Sequence, residues 1–214
     1  MNNVTFSNNS VPGRGSGGGL YVEGSGFRKI TDCRFMENNA EWGGGMVVDN
    51  STDVDISDCL YDSNTAEWEG GLKVVHSIDV KIRGCLYISN AAYYDGGMEI
   101  SYSTDVDISG CHFNSNKAHY GAGMSLFSST NVRISDCFYD YNIADWSNGG
   151  GMLDSILVDN ITITSTTVVD NEPVDIRCTH SDFYLDQQSY TNITQIYYGI
   201  KCTVDVIPDY KYGI

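Results

Sequence analysis

The stretch MVVDNSTDVDISDC, residues 46–59, recurs along the chain at a fixed interval. Related stretches are LKVVHSIDVKIRGC at 72–85, MEISYSTDVDISGC at 98–111 and MSLFSSTNVRISDC at 124–137. A spacing of 26 residues separates each closing cysteine from the next, and the series is Cys33, Cys59, Cys85, Cys111 and Cys137. A constant period of this length is typical of a solenoid, in which each repeat forms one coil stacked on its neighbours.

The pattern inside one repeat predicts its strands. Valine and isoleucine alternate with polar residues, as at Val54 and Ile56, which is the period of a strand with one buried face. A second strand follows the cysteine and carries an aromatic residue, as at Tyr61, and a third strand follows the glycines, as at Met46. Three short strands and three bends in each repeat predict an all-β fold, a parallel β-helix.

The repeat divides the chain into two predicted units. Regular coils continue to about residue 148, and an irregular coil ends at 171, so residues 1–171 are expected to form a β-helix of about six coils. The period disappears in residues 172–214, where short apolar runs such as TVDVI predict a C-terminal β cap over the last open face. At the other end, Phe6-x-x-Asn9 is half a coil. An uncovered coil predicts further coils upstream or end-to-end self-association into a multimer or filament.

Charge and hydropathy narrow the classes of partner. The net charge of −16 argues against nucleic acid and anionic membrane surfaces, because both require basic patches. The sequence contains no apolar run approaching the ~20 residues of a membrane span. Cations, carbohydrate or another protein therefore remain as expected partners, and no cofactor is indicated.

Two alternating motifs resemble those of a known family. Phe35-Met-Glu-Asn38 and Phe113-Asn-Ser-Asn116 match FxxN, and GGGM at 43–46 and 149–152 is similar to GGA[I/L/M]. The chain resembles the FxxN and GGAI repeats of the polymorphic outer membrane proteins over about residues 4–171. The resemblance implies a right-handed β-helix, an extracellular or cell-surface setting and an adhesin-like role. It assigns no catalytic residue.

A column of aromatic residues is the strongest candidate for a contact site. It occupies the longest bend, just before the glycines, and consists of Trp42, Trp68, Tyr94, Tyr120 and Trp146. Glu41, Glu67, Glu69 and Asp95 flank it. Exposed rings would offer an aromatic and acidic surface to sugars or to a protein partner. Rings folded over the turn would instead seal the core.

The remaining candidates have a structural interpretation beside each functional one. Asp53, Asp79 and Asp105 form an acidic column that is either turn capping or a weak calcium site. The cysteine column lacks the paired spacing of zinc ligands and is expected to be buried thiol. Cys178 and Cys202 lie outside it and could form a disulfide in an oxidising compartment. Five sequons are candidate N-glycosylation sites: Asn3, Asn8, Asn50, Asn160 and Asn192.

Two classes of function compete. A rigid rod that displays a contact surface for adhesion or structure, without catalysis, is favoured because a regular solenoid without long loops offers no walls for a cleft. The alternative is a polysaccharide lyase or hydrolase with a pectin-lyase-like fold. Such enzymes carry clustered Asp, Arg or His in a groove, and the repeat pattern reveals no such cluster. Fold alone does not decide between them.

Overall fold

The computed structural model describes residues 1–24, 26–147, 149–199 and 201–207, with the side chain of residue 191 excluded. The chain winds into a β-helix in which every strand pairs in parallel with its copies in the coils above and below. The predicted all-β parallel β-helix is confirmed.

The valine-isoleucine sheet has eight strands and supplies one wall of the core. Its strands are Arg28–Thr31, Thr52–Ser57, Ile78–Arg83, Thr104–Ser109, Thr130–Ser135, Asp159–Thr164, Asp182–Asp186 and Thr203–Ile207. Val80 and Ile82 are fully buried and pair in register with the same residue types on both sides. Identical side chains therefore stack into apolar columns that share one dry core.

The aromatic sheet has seven strands and carries a second set of columns. Its strands are Thr5–Ser7, Arg34–Met36, Leu60–Asp62, Leu86–Ile88, His112–Asn114, Phe138–Asp140 and Thr167–Val169. Core rings from Phe6 to Tyr139 stack with centroids 4.6 to 5.1 Å apart. Beside them, asparagines from Asn9 to Asn171, of which the five inner ones are buried, form a ladder in which each amide Nδ2 donates to the next Oδ1 at 2.8 to 3.1 Å.

The methionine sheet follows the glycines and also has eight strands. Its strands are Leu20–Glu23, Met46–Asp49, Leu72–Val75, Met98–Ser101, Met124–Phe127, Gly150–Ile156, Val174–Thr179 and Ile196–Tyr198. Glycine is required before these strands because a Cβ at Gly71 would lie 2.3 Å from the carbonyl oxygen of Gly97 in the next coil.

A fourth, short sheet lies where the sequence predicted only a turn. Its five strands of two residues are Asn39–Ala40, Thr65–Ala66, Ala91–Ala92, Lys117–Ala118 and Ile143–Ala144. The prediction of three strands per coil was therefore wrong by one. Two residues are too few to produce a period-2 signal, so this strand is invisible in the hydrophobic pattern.

The sheets continue past residue 171, where the 26-residue period ends. Val174–Thr179 and Asp182–Asp186 pair with the irregular coil that ends at 171, and Ile196–Tyr198 and Thr203–Ile207 pair with them in turn. The helix Gln187–Asn192 directly follows the strand Asp182–Asp186 in the chain. It lies against the end of the aromatic sheet, where the Thr166 backbone N–H donates to Ser189 Oγ at 3.0 Å. The helix thus covers the end of the hydrophobic core, in the place of a further strand of the aromatic sheet.

The cysteines fall into two groups. The five cysteines of the column are buried free thiols, and Cys85 is fully enclosed. Cys178 and Cys202 form a disulfide with Cα atoms 5.9 Å apart. Among the described residues, no helix has the length and apolar character needed to cross a membrane.

Candidate functional site

The aromatic column stacks along the axis of the rod. Trp42 and Trp68 have centroids 4.6 Å apart with planes at 3°, and Trp68 and Tyr94 are 4.0 Å apart at 8°. Tyr94 and Tyr120 remain parallel but lie 6.0 Å apart. Trp146, 43% exposed, ends the series with its ring tilted by 56° to that of Tyr120.

This geometry agrees only in part with either prediction, rings exposed as a contact surface or rings folded over the turn to seal the core. The first four rings are half-buried, so they partly cover the bend and partly face solvent. Because Trp68 and Tyr94 stack on a neighbour at both faces, they present their edges to anything beside the column. The column is therefore a wall and not a set of open platforms.

The bend that carries these rings folds over the outer face of the methionine sheet and leaves a groove of about 580 Å³. The aromatic column forms one side of the groove, and Tyr102, Phe127 and Ile156 form the other. Tyr102 is 54% exposed and meets Phe127 edge to face at 5.3 Å. The expectation that a regular rod has no walls for a cleft was wrong, because the bend itself supplies one.

Charged side chains form the floor of the groove. Lys73 Nζ lies 2.6 Å from Glu69 Oε1 and 3.4 Å from Glu99 Oε1. Asp95 completes a cluster in which one oxygen from each of the three acids lies within 4.8 Å of the others. Lys73 also sits 4.9 Å from the centroid of Trp42, a cation-π contact that joins floor to wall.

Burial and the charges of neighbouring groups shift the pKa values of these three acids in different directions. Burial, together with the neighbouring Glu99 carboxylate, raises the pKa of Glu69 well above its ordinary value. Burial followed by the charge of Glu99 does the same to the pKa of Asp95. Burial opposes ionisation of Glu99 too, but its hydrogen bond with Glu69 and the charge of Lys73 lower its pKa. Of the two coupled glutamates, Glu69 therefore binds a proton more readily than Glu99.

A second charged pair lies on the same floor, two coils further on. Arg177 Nη1 donates to Asp154 Oδ2 at 2.8 Å, and Arg177 Cζ lies 5.0 Å from the Tyr120 centroid. Burial raises the pKa of Asp154 to about 6, against the opposing charge of Arg177. Ser125 separates this pair from Glu99 in the pairing register.

Sequence reasoning found half of this site. The aromatic column and its flanking acids Glu69 and Asp95 were identified, whereas Glu41 and Glu67 do not line the groove. Lys73, Glu99, Asp154 and Arg177 were missed, and the inference that no charged cluster exists was wrong. All four occupy the outward position of methionine-sheet strands, which a period-2 pattern assigns to solvent. The available signal was charge recurring at this one position in successive coils.

The other candidate residues lie outside the groove. Asp53, Asp79 and Asp105 all adopt left-handed backbone angles, with φ of 53°, 54° and 57°, a conformation that aspartate tolerates better than most residues. Asp79 binds Lys81 Nζ at 2.7 Å, and Asp105 accepts from Asn131 Nδ2 at 2.9 Å. Both contacts join side chains, so turn capping by these aspartates and a weak calcium site there both stay predictions.

The sequons lie mainly on the surface. Asn3, Asn8, Asn50 and Asn160 are exposed, whereas Asn192 is half-buried. The Asn192 amide donates to the Thr166 carbonyl at 3.3 Å, and the Asn160 amide donates to Asn131 at 2.8 Å. Glycosylation at any of the five stays a prediction.

Comparisons with known proteins bear on the fold. The sequence model of a protein family, the right handed beta helix region, matches residues 1–160. No curated protein matches the sequence. A crystal structure of a proposed glycosyl hydrolase from Parabacteroides merdae ATCC 43184 is similar, with a TM-score of 0.42 and 8% identity, over 85% of this chain and 83% of that chain. The family match confirms a β-helix repeat protein, and the closer resemblance to polymorphic outer membrane proteins stays a prediction.

Proposed function

We propose that this chain, which belongs to the right-handed β-helix family, binds a neutral or amino-bearing carbohydrate strand along its groove. The groove itself carries the proposal. It runs beside four aromatic residues of successive coils, a length of about 14 Å at the spacing of stacked strands. Apolar walls with a few convergent polar groups are the usual composition of a small-molecule or sugar site.

The charges of the lining select among ligands. Four acids and two cations line the groove: Glu69, Asp95, Glu99, Asp154, Lys73 and Arg177. Even with Glu69 and Asp95 protonated, the two other carboxylates match the two cations, so the groove has no net positive charge, and the whole chain carries −16. A polyuronate would be repelled, whereas hydroxyl or ammonium groups of a sugar could donate to the carboxylates.

Calorimetric titration with a neutral glucan hexasaccharide, a chitosan hexamer and polygalacturonate tests this proposal. We expect saturable binding of one of the first two and none of the third. Tyr102→Ala should weaken that binding at least tenfold, because it removes the exposed ring that faces the aromatic column. Phe27→Ala is the matched control, since Phe27 is an exposed ring outside the groove.

A preference for polygalacturonate, or equal affinity of the Tyr102→Ala and wild-type proteins, would contradict the proposal. Binding of a protein and of none of these sugars would instead favour the protein-contact form of an adhesion role. Tyr102 is the better test position because the stacked rings also support the bend.

A second candidate, hydrolysis of the bound glycan, is favoured by one observation. The pKa of Glu69 is raised while that of the neighbouring Glu99 is lowered, and glycosidases divide the roles of acid and carboxylate between two such residues. Glu69 would then donate a proton to the leaving oxygen while Glu99 attacks the anomeric carbon, and water deprotonated by Glu69 would hydrolyse the resulting glycosyl ester and restore both residues. Release of reducing ends that Glu69→Gln abolishes would establish catalysis, and binding without release would leave the contact role.

An extracellular or cell-surface setting completes the proposal. The Cys178–Cys202 disulfide supports it, because disulfides persist in oxidising compartments. End-to-end association into filaments stays a prediction, which sedimentation of the purified chain would test.

A further inference from the structure

The charge of the floor cluster is incompletely balanced. Glu69, Asp95 and Glu99 can together carry three negative charges, and Lys73 contributes one positive charge. All three acids are buried by the bend and the sheet. Uncompensated charge away from water is costly, so the remaining two charges require protons or a cation.

An orphaned oxygen lies within this cluster. Glu69 is 0% exposed, and Lys73 binds only its Oε1. Oε2 of Glu69 has no hydrogen-bond partner among the described residues. The Ser101 hydroxyl, buried in the same groove beside Glu99, accepts from no donor there. Two buried oxygens thus have unused lone pairs where the acids converge.

We propose that Glu69, Asp95 and Glu99 bind one divalent cation, Ca²⁺ in preference to Mg²⁺, on the floor of the groove. One ion would neutralise the two residual charges and give the orphaned Glu69 oxygen a partner. The groove is open to solvent, so water can supply the remaining ligands of the six to eight that Ca²⁺ takes, roughly.

The spacing of the acids favours calcium. Oxygens that share one ion at about 2.4 Å can be at most about 4.8 Å apart, and the three ligand atoms lie within 4.8 Å of one another. Magnesium, at about 2.1 Å, would require the acids to move closer together. Zinc is disfavoured because the cluster contains no nitrogen or sulfur ligand.

This site is distinct from the weak calcium candidates considered in the sequence. Asp53, Asp79 and Asp105 lie on the valine-isoleucine side of the coil and outside the groove lining. Cation binding is also independent of the proposed sugar binding and requires no ligand in the groove. It competes with catalysis, because a cation on Glu69 displaces the proton that a general acid needs.

Terbium luminescence tests the proposal directly. Tb³⁺ replaces Ca²⁺ at oxygen sites and emits when excited through a nearby indole, and Trp68 immediately precedes Glu69. In the full chain without sugar we expect saturation at one equivalent of Tb³⁺ and displacement by CaCl₂ at lower concentration than by MgCl₂. CaCl₂ should also raise the midpoint of thermal unfolding.

Variants identify the ligands. Glu69→Gln and Asp95→Asn should each weaken Tb³⁺ binding at least tenfold and remove the thermal shift, while Asp53→Asn, an exposed acid outside the groove, should retain both. Circular dichroism establishes whether each variant is folded. If Glu69→Gln or Asp95→Asn does not fold, Glu99→Gln is measured in its place. Absence of saturable Tb³⁺ binding, or binding unaffected by the cluster variants, would overturn the proposal in favour of a shared proton.

Discussion

Replacing Asn90 by alanine tests the asparagine ladder as a source of stability. Asn90 Oδ1 accepts from the backbone N–H of Asn64 at 3.1 Å and from Asn64 Nδ2 at 2.9 Å. Its own Nδ2 donates to the Tyr61 carbonyl at 2.9 Å and to Asn116 Oδ1 at 3.1 Å. Asn64, Asn90 and Asn116 are fully buried, so water cannot replace these bonds.

The magnitude follows from what the substitution leaves unpaired. The Asn64 backbone N–H loses its acceptor, which costs about 1–3 kcal/mol for a buried donor. Asn64 Nδ2 keeps its bond to the Phe35 carbonyl, but it and two acceptors each lose one partner, which adds about 1 kcal/mol or less apiece. We expect Asn90→Ala to lower the free energy of unfolding by about 3–5 kcal/mol. This is a large share of the total free energy of unfolding of a typical protein, which is about 5–15 kcal/mol.

Urea denaturation followed by circular dichroism measures this change. The control is Asn39→Ala, because Asn39 is exposed and its amide donates to Thr65 Oγ1 at the surface. We expect the control to change stability by less than about 0.5 kcal/mol. A loss below about 1 kcal/mol for Asn90→Ala, or equal losses for the two variants, would refute the assignment of stability to the buried ladder.

Three further predictions concern the core, the groove and the C-terminal coils. Ile82→Asp places an unpaired charge at a fully buried position and should cost several kcal/mol, seen as a lower thermal midpoint. Because the folded pKa of Asp154 is raised from 3.8 to about 6, its contribution to stability is complete below about pH 4 and is lost as pH rises through 6. Asp154→Asn should therefore flatten the pH dependence of the thermal midpoint between 4 and about 6.5. Reduction of Cys178–Cys202, which closes a separation of 24 residues, should cost about 3 kcal/mol and increase hydrogen exchange in Ile196–Tyr198 and Thr203–Ile207.

The core was predictable because stacking places equivalent residues in equivalent environments. Once the period is known, Val80, Ile82 and Asn90 each represent a whole column, and the structure buries them as columns. Period-2 alternation needs only three or four residues to appear in a strand. The alanine strands of two residues fall below that limit.

The groove was less predictable because it depends on the path of a bend. Glu99 and Arg177 occupy outward positions on their strands, and alternation cannot reveal that a neighbouring bend covers that face. The C-terminal coils were obscured for a different reason. Their strands keep the register of the sheets, but the connections differ in length, and a helix replaces one strand, so no constant spacing survives.

The length of the groove depends on how many copies of the 26-residue repeat the chain contains. Three successive coils each contribute one wall residue and one floor residue: Trp68 with Lys73, Tyr94 with Glu99, and Tyr120 with Ser125. Recombination that gains or loses one unit of 26 codons would lengthen or shorten the groove by about 4.8 Å without disturbing the coils on either side. A lineage could thus adjust how long a ligand it accepts, and the charge it meets at each step, through unequal crossing-over followed by single substitutions in the new copy.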